Sequence, residues 1–311
     1  MKLSGILLSA AFLFCAFLCA GEEREIGFGA EWPLKGTLTV PDGGNGPFPL
    51  VVLVHGSGPQ DRDETLGPNR PFRDIARDLE RAGVATLRYD KRTRAHGARI
   101  AKLNGYSLDE EVIDDAVLAV EFAAKQERID PGRIFVLGHS LGGMLLPRIA
   151  AATAIPAGYI FMAAPSRPMK TVLEEQFRYL IGLRGTPAAD FEIAAGLGEM
   201  KRSVPAGYWR EFSEYVPLDD AKLVGRPMLF LQGGRDYQVT EEDFSGWKQA
   251  LGGSPSASFR FYGNLNHLMQ KGIGKAKPQE YFVPASVDSR VTGDIALFVS
   301  AAAARRERAE P

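Results

Sequence analysis

Residues 133 to 152 read Arg-Ile-Phe-Val-Leu-Gly-His-Ser-Leu-Gly-Gly-Met-Leu-Leu-Pro-Arg-Ile-Ala-Ala-Ala. The apolar run Ile134 to Leu137 passes without a gap into Gly138-His139-Ser140-Leu141-Gly142, after which Met144, Leu145, Ile149 and Ala150 recur at helical spacing. A serine at such a strand-to-helix turn can act as the nucleophile of acyl transfer. The turn holds it in a strained conformation that exposes the hydroxyl, and glycines two positions away on either side remove the collisions larger residues would make. In a chain with 34 glycines the bare pentapeptide carries little weight, and a serine that merely caps the helix would leave the same letters. Its weight depends on whether the chain supplies partners for Ser140.

A serine hydroxyl is a poor nucleophile at neutral pH; it needs an imidazole to take its proton and an acid to orient that imidazole. Four histidines permit an elimination. His139 adjoins the nucleophile and must point away from its hydroxyl. His55 ends a strand in His55-Gly56-Ser57-Gly58 and braces a loop, and His96 lies in Lys91-Arg92-Thr93-Arg94-Ala95-His96, a basic segment that reads as a solvated loop. His267 is left as the base, in Asn264-Leu265-Asn266-His267-Leu268-Met269 a few residues beyond the last strand. For the acid, Asp236 follows the strand Pro227 to Gln232, whereas Asp219 and Asp220 precede it and Asp243, Asp288 and Asp294 fall in helical patterns. Charge developing on the substrate oxygen needs fixed backbone N–H donors. One is expected from Leu141, the residue after the nucleophile; the other is expected from the His55-Gly56-Ser57-Gly58 loop, with Ser57 favoured and Gly58 the alternative.

Positioning these residues requires loops at one edge of a sheet. Hydrophobic runs alternate with helical patterns, which predicts an α/β fold with a mainly parallel central sheet and helices on both faces. Strands are expected over Gly36 to Val40, Leu50 to His55, Val84 to Tyr89, Arg133 to Gly138, Gly158 to Ala163, Pro227 to Gln232 and Ser258 to Tyr262. Helices are expected over Phe72 to Arg81, Leu108 to Lys125, Leu141 to Ala151, Glu241 to Leu251 and Val287 to Ala301. The stretch from Pro165 to Arg226 breaks the alternation and carries helical patterns of its own, so an inserted helical cap is expected over about 166–225. A pair of ordinary flanking helices is the plainer alternative.

The chain has 311 residues, 45% of them hydrophobic, enough for one large core. Its formal net charge of −1 gives no electrostatic reason to expect nucleic acid or an anionic membrane as a partner. Met1-Lys2, the apolar stretch Leu3 to Ala20 and polar Gly21-Glu22-Glu23-Arg24 have the layout of a secretory signal peptide over 1–20, with 21–311 as the folded domain; an uncleaved anchor is the alternative. Cleavage predicts a secreted or periplasmic protein without stable membrane association. Both cysteines, Cys15 and Cys19, lie in that leader, which leaves neither disulfides nor a cysteine nucleophile in the processed chain.

The order Ser140, Asp236, His267, with His-Gly-Ser-Gly upstream, resembles the α/β-hydrolase fold over roughly residues 27 to 303. Within it, three stretches resemble a group of bacterial exported carboxylesterases: His55-Gly56-Ser57-Gly58-Pro59-Gln60-Asp61-Arg62-Asp63-Glu64, Arg88-Tyr89-Asp90-Lys91-Arg92-Thr93 and Gly234-Arg235-Asp236-Tyr237-Gln238-Val239. The resemblance implies hydrolysis of a small-molecule ester through an acyl-enzyme, with no cofactor. It does not single out the substrate, because this superfamily uses one triad on esters, thioesters and peptides. A peptidase or thioesterase is therefore one rival, and a non-catalytic binding protein on a hydrolase scaffold is another.

Two features invite other readings. Asp61-Arg62-Asp63-Glu64 offers three carboxylates, but without the glycine turn and longer ligand loop of a calcium motif it reads as an ion-paired loop steadying the oxyanion segment. Phe177, Tyr179, Phe191, Tyr208, Trp209, Phe212 and Tyr215 make the cap stretch aromatic, suited equally to lining a substrate pocket and to packing cap helices on the sheet.

Overall fold

The computed structural model describes residues 22–44, 46–103 and 105–307. The leader expected over 1–20 lies outside the described residues. Among the described residues eight strands form one sheet: β1 (Glu22–Phe28), β2 (Leu34–Val40), β3 (Phe48–Val54), β4 (Ala85–Tyr89), β5 (Ile129–His139), β6 (Gly158–Met162), β7 (Met228–Gly233) and β8 (Ala257–Tyr262). Their spatial order is β1-β2-β4-β3-β5-β6-β7-β8, antiparallel for β1 with β2 and β2 with β4, and parallel from β4 onward. Between them run α1 (Pro71–Arg81), α2 (Arg92–Ala95), α3 (Gly97–Ile100), a π-helical turn (Asp109–Ile113) and α4 (Asp114–Ala123). Beyond β5 come α5 (Leu141–Met144), α6 (Leu146–Ala152), α7 (Met169–Gly182), α8 (Asp190–Arg202), α9 (Ala206–Glu214) and α10 (Leu218–Ala221), then α11 (Glu241–Leu251) and α12 (Ser289–Glu307).

Strand alternation divides the core in two. Val51, Leu53, Phe135, Leu137, Ile160 and Leu229 point to a layer shared with Phe72, Ile75 and Leu79 of α1 and Val291, Ile295 and Val299 of α12. Leu50, Val52, Ile134, Val136, Phe161 and Phe230 point the other way, toward Ala116 and Val120 of α4, Ile149 of α6 and Trp247 of α11. Strands buried on both faces read as unbroken apolar runs, which is why they were legible in the sequence. Helices cover both faces, as expected.

Several elements depart from expectation. β1 was not foreseen: Glu22, Glu23, Arg24 and Glu25 give no apolar run, but β1 is an edge strand whose charges face solvent while its backbone pairs with β2 from Glu22↔Val40 to Phe28↔Leu34. The helix expected over Leu141 to Ala151 is broken at Leu145, because Pro147 lacks the N–H that an unbroken helix would send to the Gly143 carbonyl. The helix expected over Leu108 to Lys125 begins with the π-helical turn. Four helices, α7 to α10, occupy the interval between β6 and β7.

The expectation of a solvated basic loop at Lys91 to His96 is corrected. Lys91 and Arg92 are buried, the latter paired with Asp115 of α4 at 2.5 Å, and residues 92–95 are helical. His96 bonds through Nε2 to the Pro33 carbonyl and packs edge-on against Trp32. A local run of positive charge cannot reveal that acids some 20 residues later will meet it.

Candidate active site

Parallel pairing aligns the carboxyl ends of β3, β5, β7 and β8 on one edge of the sheet: Val54 lies beside Gly138, His139 beside Met162 and Gly233 beside Tyr262. The loops leaving these ends carry Ser57, Ser140, Asp236 and His267.

Ser140 sits between β5 and α5 at φ 53° and ψ −119°, a left-handed conformation that is costly for a side-chain-bearing residue. Its N–H is held by the Met162 carbonyl at 2.9 Å. The surrounding glycines are steric necessities: a Cβ at Gly138 would lie 2.4 Å from the Gly142 carbonyl, and one at Gly142 would lie 2.5 Å from the Val54 carbonyl oxygen. Gly143, not singled out in the sequence, is as constrained, since its Cβ would lie 2.7 Å from the Gly138 oxygen. The Leu141 N–H, in the first turn of α5, has no acceptor among the described residues.

His267 and Asp236 meet. Nδ1 of His267 and Oδ2 of Asp236 are 2.6 Å apart, and both side chains are buried. The other carboxylate oxygen of Asp236 accepts the N–H groups of Gln238 and Val239, at 2.7 and 3.1 Å, so both its oxygens are engaged. The His267 turn is built by Asn266, whose Oδ1 accepts from the Leu268 and Gln270 N–H groups at 3.0 Å each.

Ser140 Oγ and the His267 ring share no hydrogen bond; their loops are joined through His139. Nε2 of His139 bonds to the His267 carbonyl oxygen at 3.0 Å, and the two rings lie 4.6 Å apart. His139 does point away from the hydroxyl, toward Glu64, whose Oε2 lies 2.8 Å from Nδ1. The other oxygen of Glu64 accepts the Gly56 N–H at 2.7 Å. Burial alone would push the His139 imidazole down, but the charge of Glu64 and its hydrogen bond outweigh that and raise its pKa. Burial pushes the Glu64 carboxyl up, yet His139, His55 and the Gly56 N–H hold it below its ordinary range. His55 braces its loop as expected, between Phe72 and Tyr89, and burial lowers its pKa to about 4, leaving it a neutral ring.

The run Asp61 to Glu64 is an ion-paired loop. Arg62 joins Asp90 at 2.9 Å and Glu25 at 2.5 Å, Asp63 pairs with Arg88, and Asp61 accepts the N–H groups of Asp63 and Thr65. The structure therefore gives these carboxylates protein partners. Glu64 steadies the loop expected to carry the oxyanion donor through the Gly56 N–H, as expected of its run, whereas its pairing with His139 and the approach of Lys91 were not expected.

A cavity of about 590 Å³ opens beside Ser57 and Gly58, between Ile100 and Leu103 on one side and Met200 of α8, Val204 of the α8–α9 loop and Trp209 and Phe212 of α9 on the other. Most of the aromatic residues take one of the two roles considered for them, while Phe191 is exposed. Tyr208, Trp209 and Phe212 line this cavity, whereas Tyr179 stacks on Tyr237 and Phe177 packs against α8. Gln176 and Tyr179 of α7 also bond to the Gln238 and Ala276 carbonyls, tying the cap to the loops that follow Asp236 and His267.

A sequence profile described as the alpha/beta hydrolase family matches residues 51–279. The chain is 42% identical over 287 residues to esterase EstD of Thermotoga maritima, covering 89% of this chain and 67% of the relative. Among solved structures, an esterase of Pyrococcus furiosus superposes with a TM-score of 0.58 at 18% identity, covering 90% of this chain and 91% of that one. Dipeptidyl peptidase 4 of Porphyromonas gingivalis superposes with a TM-score of 0.57 at 16% identity, over 90% of this chain and 35% of its own. At such identities the superpositions speak to the fold alone, while the profile spans most of the chain and the 42% relative nearly all of it. With its strand order and its strained strand-to-helix serine, the chain belongs to the alpha/beta hydrolase family.

Proposed function

We propose that the chain is a serine carboxylesterase in which Ser140 is the nucleophile, His267 the general base and Asp236 the residue that orients it. The observation that carries this reading is the 2.6 Å contact between His267 and Asp236 at the same sheet edge as the strained Ser140. His267 takes the Ser140 proton as Oγ attacks the ester carbonyl, and the oxyanion is met by the N–H groups of Ser57 and Leu141. His267 then protonates the leaving alcohol, and water, activated by the same imidazole, releases the acid from Ser140. The hydrogen bond from Oγ to the imidazole forms when substrate arrives, since such contacts are often loose in unliganded enzymes. The 42% identity to a protein named an esterase supports esters as the substrate class.

The helices α7 to α10 act as the cap of this site and the cavity beneath them receives part of the ester. A peptidase often uses acidic cap residues to hold the peptide amine; of the acids in this stretch, Glu175 pairs with Arg167 and Glu192 with Arg184. Residues 1–20 direct export and are removed; no helix among the described residues is long and apolar enough to cross a membrane. Turnover of p-nitrophenyl esters by the wild type and by Ser140→Ala, beside aminoacyl amides and acyl-CoA, tests the activity. Full ester turnover by Ser140→Ala would refute it. N-terminal sequencing of protein recovered outside the cytoplasm tests export.

A further inference from the structure

The carbonyl of Gly56, which shares a peptide unit with the N–H of the favoured oxyanion donor Ser57, is tied to an unusual partner. Lys91 is only 2% exposed, and its Nζ donates to the Gly56 carbonyl at 2.9 Å. That carbonyl and the Ser57 N–H belong to one peptide unit. The unit is trans, so the two groups point in opposite directions, and gripping the oxygen from one side aims the N–H to the other. The preceding N–H, of Gly56, is held by Glu64, so the glycine is fastened at both ends. Its backbone abuts the nucleophile: a Cβ on Gly56 would lie 3.2 Å from Cβ of Ser140. The Ser57 N–H itself has no acceptor among the described residues.

Lys91 is in turn held rigidly. Its own N–H donates to the Gln60 carbonyl at 3.1 Å, and its ammonium lies 3.3 Å from Oε1 of Glu111. Glu111 accepts from Thr93 Oγ1 at 2.9 Å and from the hydroxyl of Tyr208, a residue of cap helix α9, at 2.6 Å. Glu111 lies in the π-helical turn, an irregularity frequent near functional sites. An ammonium placed on a buried carbonyl does more than orient the amide: it draws electron density toward the oxygen and strengthens the N–H at the other end as a donor.

We propose that Lys91 is a positioning residue for catalysis, which orients and polarises the 56–57 peptide so that the Ser57 N–H is preset to receive the oxyanion, with Glu111 fixing the lysine and Tyr208 of α9 fixing Glu111. Lys91 touches no substrate. The proposal rests on the reading of Ser140 and Ser57 above and explains why Ser57 rather than Gly58 supplies the donor.

Lys91→Met in the full chain, assayed on a p-nitrophenyl ester, tests this together with an alkyl boronic acid that forms a tetrahedral adduct on Ser140. Loss of one oxyanion donor costs about 10²–10³ in kcat, and a donor left in place but unaimed should cost about 10- to 100-fold. The expected result is that fall in kcat, with KM within about twofold and boronate affinity weakened by a similar factor. Unchanged kcat overturns the proposal, as does a rise in KM alone, or a fall in kcat with boronate affinity intact. Lys91→Gln, which removes the charge with a shorter side chain, carries the same readouts if the methionine variant does not fold. Ester turnover that survives Ser140→Ala would instead defeat the underlying reading.

Discussion

Glu64 and His139 form a buried pair 2.8 Å apart that links the loop after β3 to the residue before Ser140. Through its second nitrogen, His139 also holds the carbonyl of His267. One imidazole thus ties together the three loops that carry Ser57, Ser140 and His267.

Removing one member of a buried pair leaves the other without compensation, which costs about 3–5 kcal/mol. Glu64→Gln should therefore lower stability by about that amount, read as a shift of the urea midpoint. A loss below about 1 kcal/mol would show that the pair does not hold the loops.

The pair also sets a pH dependence. His139 has a raised pKa in the folded chain, so its contribution is complete below the ordinary histidine value of 6.5 and is lost as pH rises through the folded value. Glu64 has a lowered one, so its contribution is complete above 4.5 and is lost as pH falls through the folded value. The stability difference between the wild type and Glu64→Gln should be largest between those two pH values and shrink on either side. A difference that stays flat from about pH 4 to about pH 8 contradicts the assignment.

Asp236→Asn should preserve the fold but let the His267 ring adopt the wrong tautomer, lowering kcat by about 10³–10⁴ with little change in KM. Steady-state kinetics on a short-chain ester measure this. A loss under tenfold would leave Asp236 as an ordinary turn residue.

Gly142→Ala places a methyl 2.5 Å from the Val54 carbonyl, a backbone atom with nowhere to retreat inside the sheet. The expected outcome is loss of soluble folded protein or a destabilisation of several kcal/mol, on the order of the largest single-residue effects. A variant with wild-type thermal stability would mean that the elbow has room for a side chain at Gly142.

The cavity beside Ser57 should set substrate length. Val204→Trp fills part of it, so the kcat/KM of an octanoate ester should drop at least about tenfold while that of an acetate ester stays within about threefold. Equal effects on both esters would place the acyl chain elsewhere.

What the sequence determined by itself was local or ordinal. The elbow could be read because backbone sterics dictate glycine on both sides of Ser140, and the central strands because burial on both faces demands unbroken apolar runs. Asp236 and His267 stand out as candidates because four histidines allow elimination and because loops after parallel strands share one edge, and the fold brings the two side chains to 2.6 Å. Tertiary structure alone decided the rest. Lys91 looked like one charge in a basic loop until β4 set it beneath Gly56, 35 residues earlier, and the π-helical turn met it with Glu111. Glu64 looked like the end of an acidic run until sheet order laid it against His139, 75 residues on. Such partners are chosen by which strands become neighbours, and a side chain's own residue type carries no record of that choice.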